Sequence, residues 1–402
     1  MPGLNVFGGW GCNDMKVCFC TNIWNHHQGP VARELAKLLG PDDFRLFIFQ
    51  PLDCDWSRER IAMGWNLSPP EEPWIVGPPK TTADLEDNFF QGWIESADVL
   101  IYGDNKFFDS TALSRRLKAG RLTFKAGERL LKESITFRQW FSPRFWHKWF
   151  WVHRHLNHPS LHFLTMSHWC AADLQFFCAC RSRIWRWGYL TDVSAAPVEK
   201  PMHEKVRVGW CGRFLCWKNV SDILIAVSLL EDSVKDRIEV VIVGDGPERE
   251  NLIRQMHDLG LDGIVSFRPF LPQKEALAFM ESVDIFPFPS NRLEGWGAIL
   301  PEAMDKCCAV VASEDAGSTL ELVKDGENGF TFKAGDVMTL SRRIGALVKD
   351  LELRRHFGFA AWRTMQGWSP AVGAKRLMDL VYAILNGSAP DKDDGALCGY
   401  RG

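Results

Sequence analysis

An α/β protein built from two parallel-sheet layers is predicted by three features of the chain. Strand-like and helix-like segments alternate strictly through the second half, and less regularly through the first. Between the halves lies DVSAAPVEKPMHEK, small, polar and proline-bearing, with the character of a linker. The length of 402 residues also exceeds the ~250–300 at which single cores stop growing. Strict alternation gives parallel βαβ units with helices on both faces, so each half is expected to be Rossmann-like. The expected division is an N-terminal domain over 1–197, a second domain over 198–368, a C-terminal helix over 369–386 and a disordered tail over 387–402.

In the first half, MKVCFCTN reads as a strand, GPVARELAKLLG as a helix and FRLFIFQP as a strand. ADVLIYGD and RLTFKAG read as further strands separated by STALSRRLKAG, and LHFLTMSH leads into a helix at AADLQFFCACR. The second half opens on RVGWCGRF, a strand running into a glycine turn. SDILIAVSLLED follows with apolar residues at helical spacing and a Ser221/Asp222 cap. RIEVVIVGDG is a continuous β-branched run of the kind found in strands buried on both faces. ERENLIRQMHDLGL, IVSFRPF, KEALAFMESV and DIFPFPS continue as helix, strand, helix and strand. CAVVASED is a strand, STLELVKDG a helix capped by Ser318, and NGFTF a strand. SPAVGAKRLMDLVYAIL has Ser369 as N-cap and Pro370 at the first helical position. The tail beyond it is polar and glycine-rich.

Composition narrows the function classes. Hydrophobic content of 46%, charged content of 24% and a formal charge of -3 describe a globular protein without a broad nucleic-acid-binding surface. No CxxC occurs among the 12 cysteines. His168, Cys170, Cys178 and Cys180 lie close in sequence, but the CxC pairs sit in apolar runs, which favours buried free thiols over zinc. The N-terminus lacks a basic segment followed by an apolar stretch, so no signal peptide is expected, and no apolar run reaches the ~18–20 residues a spanning helix needs. A cytoplasmic protein, peripheral to a membrane at most, is expected.

Four features of the second half carry chemistry. GRFLCWK places Arg213 and Lys218 just after a strand, where open parallel sheets bind ligands. A planar guanidinium fork and a point charge together suit a diphosphate, although an isolated pair of cations is often a solvated loop. VGDGPE, with Gly244, is a turn that lets a ligand approach the backbone, a weak signal alone. FPFPSNRLEGWG ends a strand in a glycine loop before a helix, so that amides around Gly297 can face an anion. Glu294 and Glu302 bracket seven uncharged residues at that helix; taken singly, Glu302 would merely complement the helix dipole.

Together, GRF…K, VGDGPE, PSNRLEGWG…PEAM and DAGSTLELVKDGENGF resemble the nucleotide-binding half of retaining GT-B glycosyltransferases, specifically glycosyltransferase family 4. The resemblance implies two Rossmann-like domains facing each other across a cleft, with the C-terminal helix crossing back to the first. It implies that Arg213 and Lys218 hold the donor diphosphate and take the place of a metal ion. Gly212, Gly244 and the amides around Gly297 would complete the donor site. Glu302 would accept hydrogen bonds from ribose, and Glu294 from hydroxyls of the transferred sugar. The implied co-substrate is a UDP-, GDP- or ADP-sugar with no other cofactor, and the implied acceptor is a glycan or glycolipid. Arg213, Lys218 and Glu294 would serve the chemistry. Two rivals share the fold, a nucleotide-sugar epimerase and a non-catalytic binding protein; the linear Glu294/Glu302 pair with the two cations favours transfer.

The first half departs from that pattern. Many members carry a double glycine after the first strand, where this chain reads Gln28-Gly29. Gly29 still allows close approach to a phosphate, and His26 and His27 are acceptor-site candidates or structural residues. Where relatives place a histidine, LTFKAGERLLK offers Glu128 and no histidine; Asp104 and Glu128 are the acceptor-side candidates. Asn219 stands where relatives often have glycine. Residues 138–158 alternate aromatic with basic side chains, consistent with a packed helix, a membrane contact or an acceptor groove.

Overall fold

The computed structural model describes residues 15–62, 67–78, 88–103, 110–130, 140–153, 155–178, 181–388 and 396–397. In chain order the elements begin β1 (Val17–Thr21), α1 (Gly29–Leu39), β2 (Phe44–Ile48), α2 (Asp55–Ala62), β3 (Ile75–Val76), α3 (Asn88–Ser96) and β4 (Val99–Tyr102). There follow α4 (Ser110–Lys118), β5 (Thr123–Gly127), α5 (Pro143–His153), β6 (Leu161–Thr165), α6 (His168–Cys178) and β7 (Ile184–Arg186). The next are β8 (Val206–Arg213), α7 (Val220–Ser228), α8 (Asp232–Lys235), β9 (Ile238–Asp245), α9 (Arg249–Asp258), β10 (Val265–Arg268), α10 (Gln273–Glu281) and β11 (Ile285–Phe288). The chain continues through α11 (Ile299–Asp305), β12 (Ala309–Ser313), α12 (Thr319–Leu322) and β13 (Phe330–Phe332). It ends in three helices, α13 (Val337–Lys349), α14 (Leu351–Gln366) and α15 (Pro370–Leu385).

Strands β1 to β7 form one sheet in the order β3-β2-β1-β4-β5-β6-β7, and β8 to β13 another in the order β10-β9-β8-β11-β12-β13. The central pairings are parallel: β1 runs beside β2 from Val17↔Phe44 to Thr21↔Ile48, and β8 beside β9 from Val206↔Ile238 to Arg213↔Asp245. In both sheets the first strand sits inside and the order reverses beside it, between β1 and β4 and between β8 and β11. Such a reversal leaves a crevice at the carboxyl ends of the strands.

Contacts divide the chain into two compact units. One comprises Met1–Ala126, His153–Leu164 and Ala374–Pro390; the other comprises Gly127–Val152, Thr165–Gly373 and Asp391–Gly402. This division and the linker at 197/198 draw the line in different places, since 127–152 and 165–197 belong to the second unit. In the first unit, Cys18, Ala32, Leu35, Phe44, Val99, Leu100 and Phe124 are fully buried. Arg116 lies among them. Its guanidinium donates to the carbonyls of Ile94, Asp98 and Leu122 at 3.0, 3.0 and 2.6 Å and to Thr123 Oγ1 at 3.0 Å. Burial lowers its pKa to about 10. In the second unit, Val240, Val241, Ile242 and Val243 of β9 are at most 1% exposed, and each such side chain contributes ~1.5–3 kcal/mol by burial.

Several local expectations shift. Helix α7 starts at Val220 after Asn219, so Ser221 and Asp222 sit in its first turn and do not cap it. Ser318 precedes α12 without a side-chain capping bond. Ser369 does cap α15, its hydroxyl accepting from Val372 N at 3.4 Å. Of the tail, Ala396 and Leu397 are buried, and the Leu397 amide donates to the Arg186 carbonyl at 2.6 Å. Cys18, Cys20, Cys170, Cys211, Cys307 and Cys308 are buried free thiols. Cys180 and the side chain of Cys178 lie outside the described residues; the Cys170 thiol donates to the carbonyls of Gly127 and Glu128. Among the described residues no helix is long and apolar enough to cross a membrane.

Candidate active site

The candidate site is assembled by three loops of the second unit at the carboxyl ends of β8, β11 and β12, on and beside the reversal in strand order. Arg213 is the last residue of β8, and Lys218 closes the short 3-10 turn Cys216–Lys218 that follows. The chain then turns at Asn219, which holds φ 49° and ψ 39°. This left-handed position is one that glycine and asparagine tolerate best, which accounts for asparagine standing where glycine is common. Its Nδ2 donates to the Pro289 carbonyl at 3.2 Å, and the Asn291 amide donates to the Trp217 carbonyl at 3.0 Å. The loops after β8 and β11 are thus tied together.

That tie brings the charges into contact. The Lys218 ammonium pairs with Glu294 Oε2, and both side chains are mostly buried. No carboxylate pairs with Arg213 among the described residues. Glu294 is fixed by its own amide, which donates to the Asn291 carbonyl at 2.9 Å. Glu302 sits in the first turn of α11. Burial pushes the Cys211 thiol of β8 up, and the negative charge of Glu302 adds to that.

The glycines prove to have different reasons. Gly244 holds φ +148°, and a Cβ there would stand 1.9 Å from the Gly212 carbonyl oxygen, so the close approach it permits is between β8 and β9 themselves. A Cβ on Gly295 would run into the Glu128 carboxylate, 2.1 Å from one oxygen. At Gly297 a Cβ would meet Phe288 and Glu294, and at Gly317 it would meet the Gly295 carbonyl. None of the amides from Gly295 to Ala298 donates to a backbone carbonyl among the described residues. Ser290, Ser318 and Thr319 add three fully buried hydroxyls for which these residues supply no hydrogen-bond partner.

Glu128, at the end of β5, belongs to the second unit and lies beside the Glu294 loop. The Tyr189 hydroxyl donates to its Oε1 at 2.7 Å. His26, His27 and Gly29 belong to the first unit, at the turn between β1 and α1. There Asn25 Oδ1 accepts from the amides of His27 and Gln28 at 2.9 and 3.0 Å, and Asn25 O accepts from the Gly29 amide at 2.9 Å. The amides at this helix entrance are therefore already engaged, and a Cβ on Gly29 would meet the Trp24 ring at 2.9 Å. The His26 and His27 rings lie 3.8 Å apart, and burial followed by the charge of His26 holds the His27 imidazole well below its usual range. Asp104 lies outside the described residues. Asn291, Ser290 and Tyr189 escaped the sequence reading, because an uncharged side chain in a loop carries no spacing signal.

Residues 197–363 match the family model of glycosyl transferases group 1. That is less than half of the chain, and it contains Arg213, Lys218, Glu294 and Glu302. The chain is 29% identical over 180 residues to a lipopolysaccharide core biosynthesis glycosyltransferase, LpsE, of Rhizobium meliloti, covering 45% of this chain and 50% of that protein. It is 32% identical over 146 residues to a phosphatidyl-myo-inositol mannosyltransferase of Mycobacterium leprae, covering 36% and 37%. The chain spans half or less of the length of the curated relatives it matches. The crystal structure of Anabaena Alr3699/HepE in complex with UDP superposes with a TM-score of 0.65 at 16% identity, covering 92% of this chain and 100% of that one. This likeness establishes the fold, two parallel-sheet α/β units of GT-B type.

Proposed function

We propose that the protein is a retaining glycosyltransferase, moving a sugar from a nucleotide-activated donor to a hydroxyl of a glycan or glycolipid acceptor without a metal ion. The observation that carries this reading is the contact between Lys218 and Glu294 at the strand reversal, with Arg213 closing β8 five residues before Lys218. In a nucleotide sugar the reacting carbon is bonded directly to the phosphate. A site for it therefore needs a cation for phosphate and an acceptor for sugar hydroxyls side by side, which is what Lys218 and Glu294 offer.

Bond cleavage leaves a diphosphate anion and an oxocarbenium-like sugar. Preorganised cations stabilise the charge that develops on the leaving group, usually the largest catalytic contribution. Arg213 and Lys218 fill that role, with the amides from Gly295 to Ala298 as further donors. Glu294 orients the transferred sugar and Glu302 the ribose. Neither is the acid or base of a hydrolase. The UDP complex of the similar structure and the lipopolysaccharide assignment of the R. meliloti relative support a UDP-sugar donor and a cell-envelope glycan acceptor.

Isothermal titration with nucleoside diphosphates tests the assignment. Arg213→Ala combined with Lys218→Ala should abolish binding, and retained affinity would remove the phosphate role. Proton NMR of the product decides retention, and undiminished turnover in EDTA decides metal independence. A peripheral membrane contact is proposed for α5 and the turn before it, supported by Trp140, Phe141 and Phe150, which are 45%, 67% and 61% exposed, beside Arg144 and His147. Co-sedimentation with anionic but not neutral vesicles is the expected result.

A further inference from the structure

Glu128 is held more firmly than a solvated loop carboxylate. Tyr189 donates to its Oε1 at 2.7 Å, and the Cys170 thiol donates to its backbone carbonyl at 3.1 Å. The preceding residue is pinned as well, since the Met166 amide donates to the Gly127 carbonyl at 2.9 Å. On the other side, Arg129 forms two bonds to Asp173, at 3.2 and 3.3 Å, and one to the Arg292 carbonyl at 3.2 Å. The β5 end is thereby anchored to the loop that carries Glu294. The Glu128 carboxylate occupies the volume that any side chain at position 295 would need, so glycine there is the condition for the carboxylate to sit where it does.

The chemistry of this pair is one-directional. Burial, then the charge and hydrogen bond of Glu128, then the charge of Glu294 push the Tyr189 phenol well above its usual range. It stays protonated and donates to Glu128 Oε1. An ionised carboxylate only accepts hydrogen bonds. A sugar hydroxyl satisfies such a group. A carboxylate on the sugar brings two more acceptors and a like charge.

We propose that Glu128, oriented by Tyr189, is a specificity-determining residue that admits donors presenting neutral hydroxyls to the Gly295 turn and rejects donors whose sugar is a uronate. This rests on the nucleotide-sugar reading above. Tyr189 is a positioning residue in it, acting through Glu128.

Two matched pairs of probes differ only by a hydroxymethyl against a carboxylate: UDP-glucose with UDP-glucuronate, and GDP-mannose with GDP-mannuronate. Bare UDP and GDP complete the set. The wild type should bind the neutral member of the accepted pair about tenfold or more tightly than the uronate, the scale of a hydrogen bond to a charged group. Glu128→Gln, which can donate to a carboxylate, should bring the two within a few-fold while leaving affinity for the bare nucleotide unchanged. Tyr189→Phe should shrink the same ratio and also spare the bare nucleotide. Equal wild-type affinities within a pair, or a ratio unmoved by Glu128→Gln, overturn the proposal. Loss of bare-nucleotide binding in Tyr189→Phe would make Tyr189 structural and overturn its part. If neither UDP nor GDP binds the wild type, this inference falls; if ADP does not bind either, the donor reading falls with it.

Discussion

Arg116 shows how a single residue can hold an element in place without any role in chemistry. Its guanidinium collects carbonyls from the end of α3 and from the residue before β5, together with the Thr123 hydroxyl on β5, in the core of the first unit. Replacing it by leucine conserves apolar volume but leaves those acceptors buried with no donor. Unsatisfied buried groups cost ~1–3 kcal/mol each, so Arg116→Leu should destabilise the protein by about 3 kcal/mol or more. Urea unfolding followed by tryptophan fluorescence measures it; a loss within 1 kcal/mol, as an order of magnitude for a surface site, would mean that the acceptors find water. Nothing in SRRLKAG distinguishes this arginine from its neighbour Arg115, which is exposed and pairs with Glu95 at 2.6 Å. The difference is tertiary, and sequence carries no trace of it. The charged residues of the candidate site are the opposite case. Arg213, Lys218, Glu294 and Glu302 were legible as candidates only as a set, through the resemblance of GRF…K and PSNRLEGWG…PEAM to a known family; singly none of them stood out.

At the scale of elements, legibility followed length and alternation. The long β-branched run of β9 and the capped stripe of α15 were readable, whereas β3 and β7 were not, since two and three residues cannot show a period of two. Helices α13 and α14 were missed for another reason: the βα alternation has no place for two helices in succession. The signal was nevertheless there. Asp350 ends α13 and caps α14, its Oδ1 accepting from the Leu353 amide at 2.9 Å. Asp350→Ala should cost about 1 kcal/mol, measured as a shift in the urea midpoint with an unchanged slope.

The β1–α1 turn supplies a pH-dependent element. His27 is neutral in the fold, its pKa held well below 6.5 by burial first and His26 second. Between that depressed value and 6.5 the unfolded chain binds a proton that the folded chain does not. Stability from this group is therefore complete above pH 6.5 and falls as the pH drops towards the folded value. Lowering the pH from 7.5 to 5.5, as round working values, should cost roughly 1 kcal/mol more in the wild type than in His27→Gln. Equal losses would remove His27 as the source.

The whole molecule has two reversals of strand order and uses them differently. At β8/β11 the loops present Lys218, Arg213 and amides without backbone acceptors among the described residues, a surface chemically matched to an anion. At the turn after β1, Asn25 already takes the amides of His27, Gln28 and Gly29, and the space over Gly29 is filled by Trp24. Two crevices of the same topology are thus unequal, because the local side chains and turns decide whether the amides at a strand end are already engaged. Hydrogen exchange on the full chain tests the distinction. A nucleoside diphosphate alone should protect peptides covering 212–219 and 290–298 and leave 22–30 unchanged. At a concentration of 100 times its dissociation constant the ligand adds ~2.7 kcal/mol, enough to slow exchange visibly wherever opening is coupled to release. Protection of 22–30 by the diphosphate would assign that turn a phosphate contact and show that Asn25 yields its amides to the ligand. Protection there only when an acceptor glycan is added would instead assign His26 and His27 to the acceptor, the role their place after the first strand suggests.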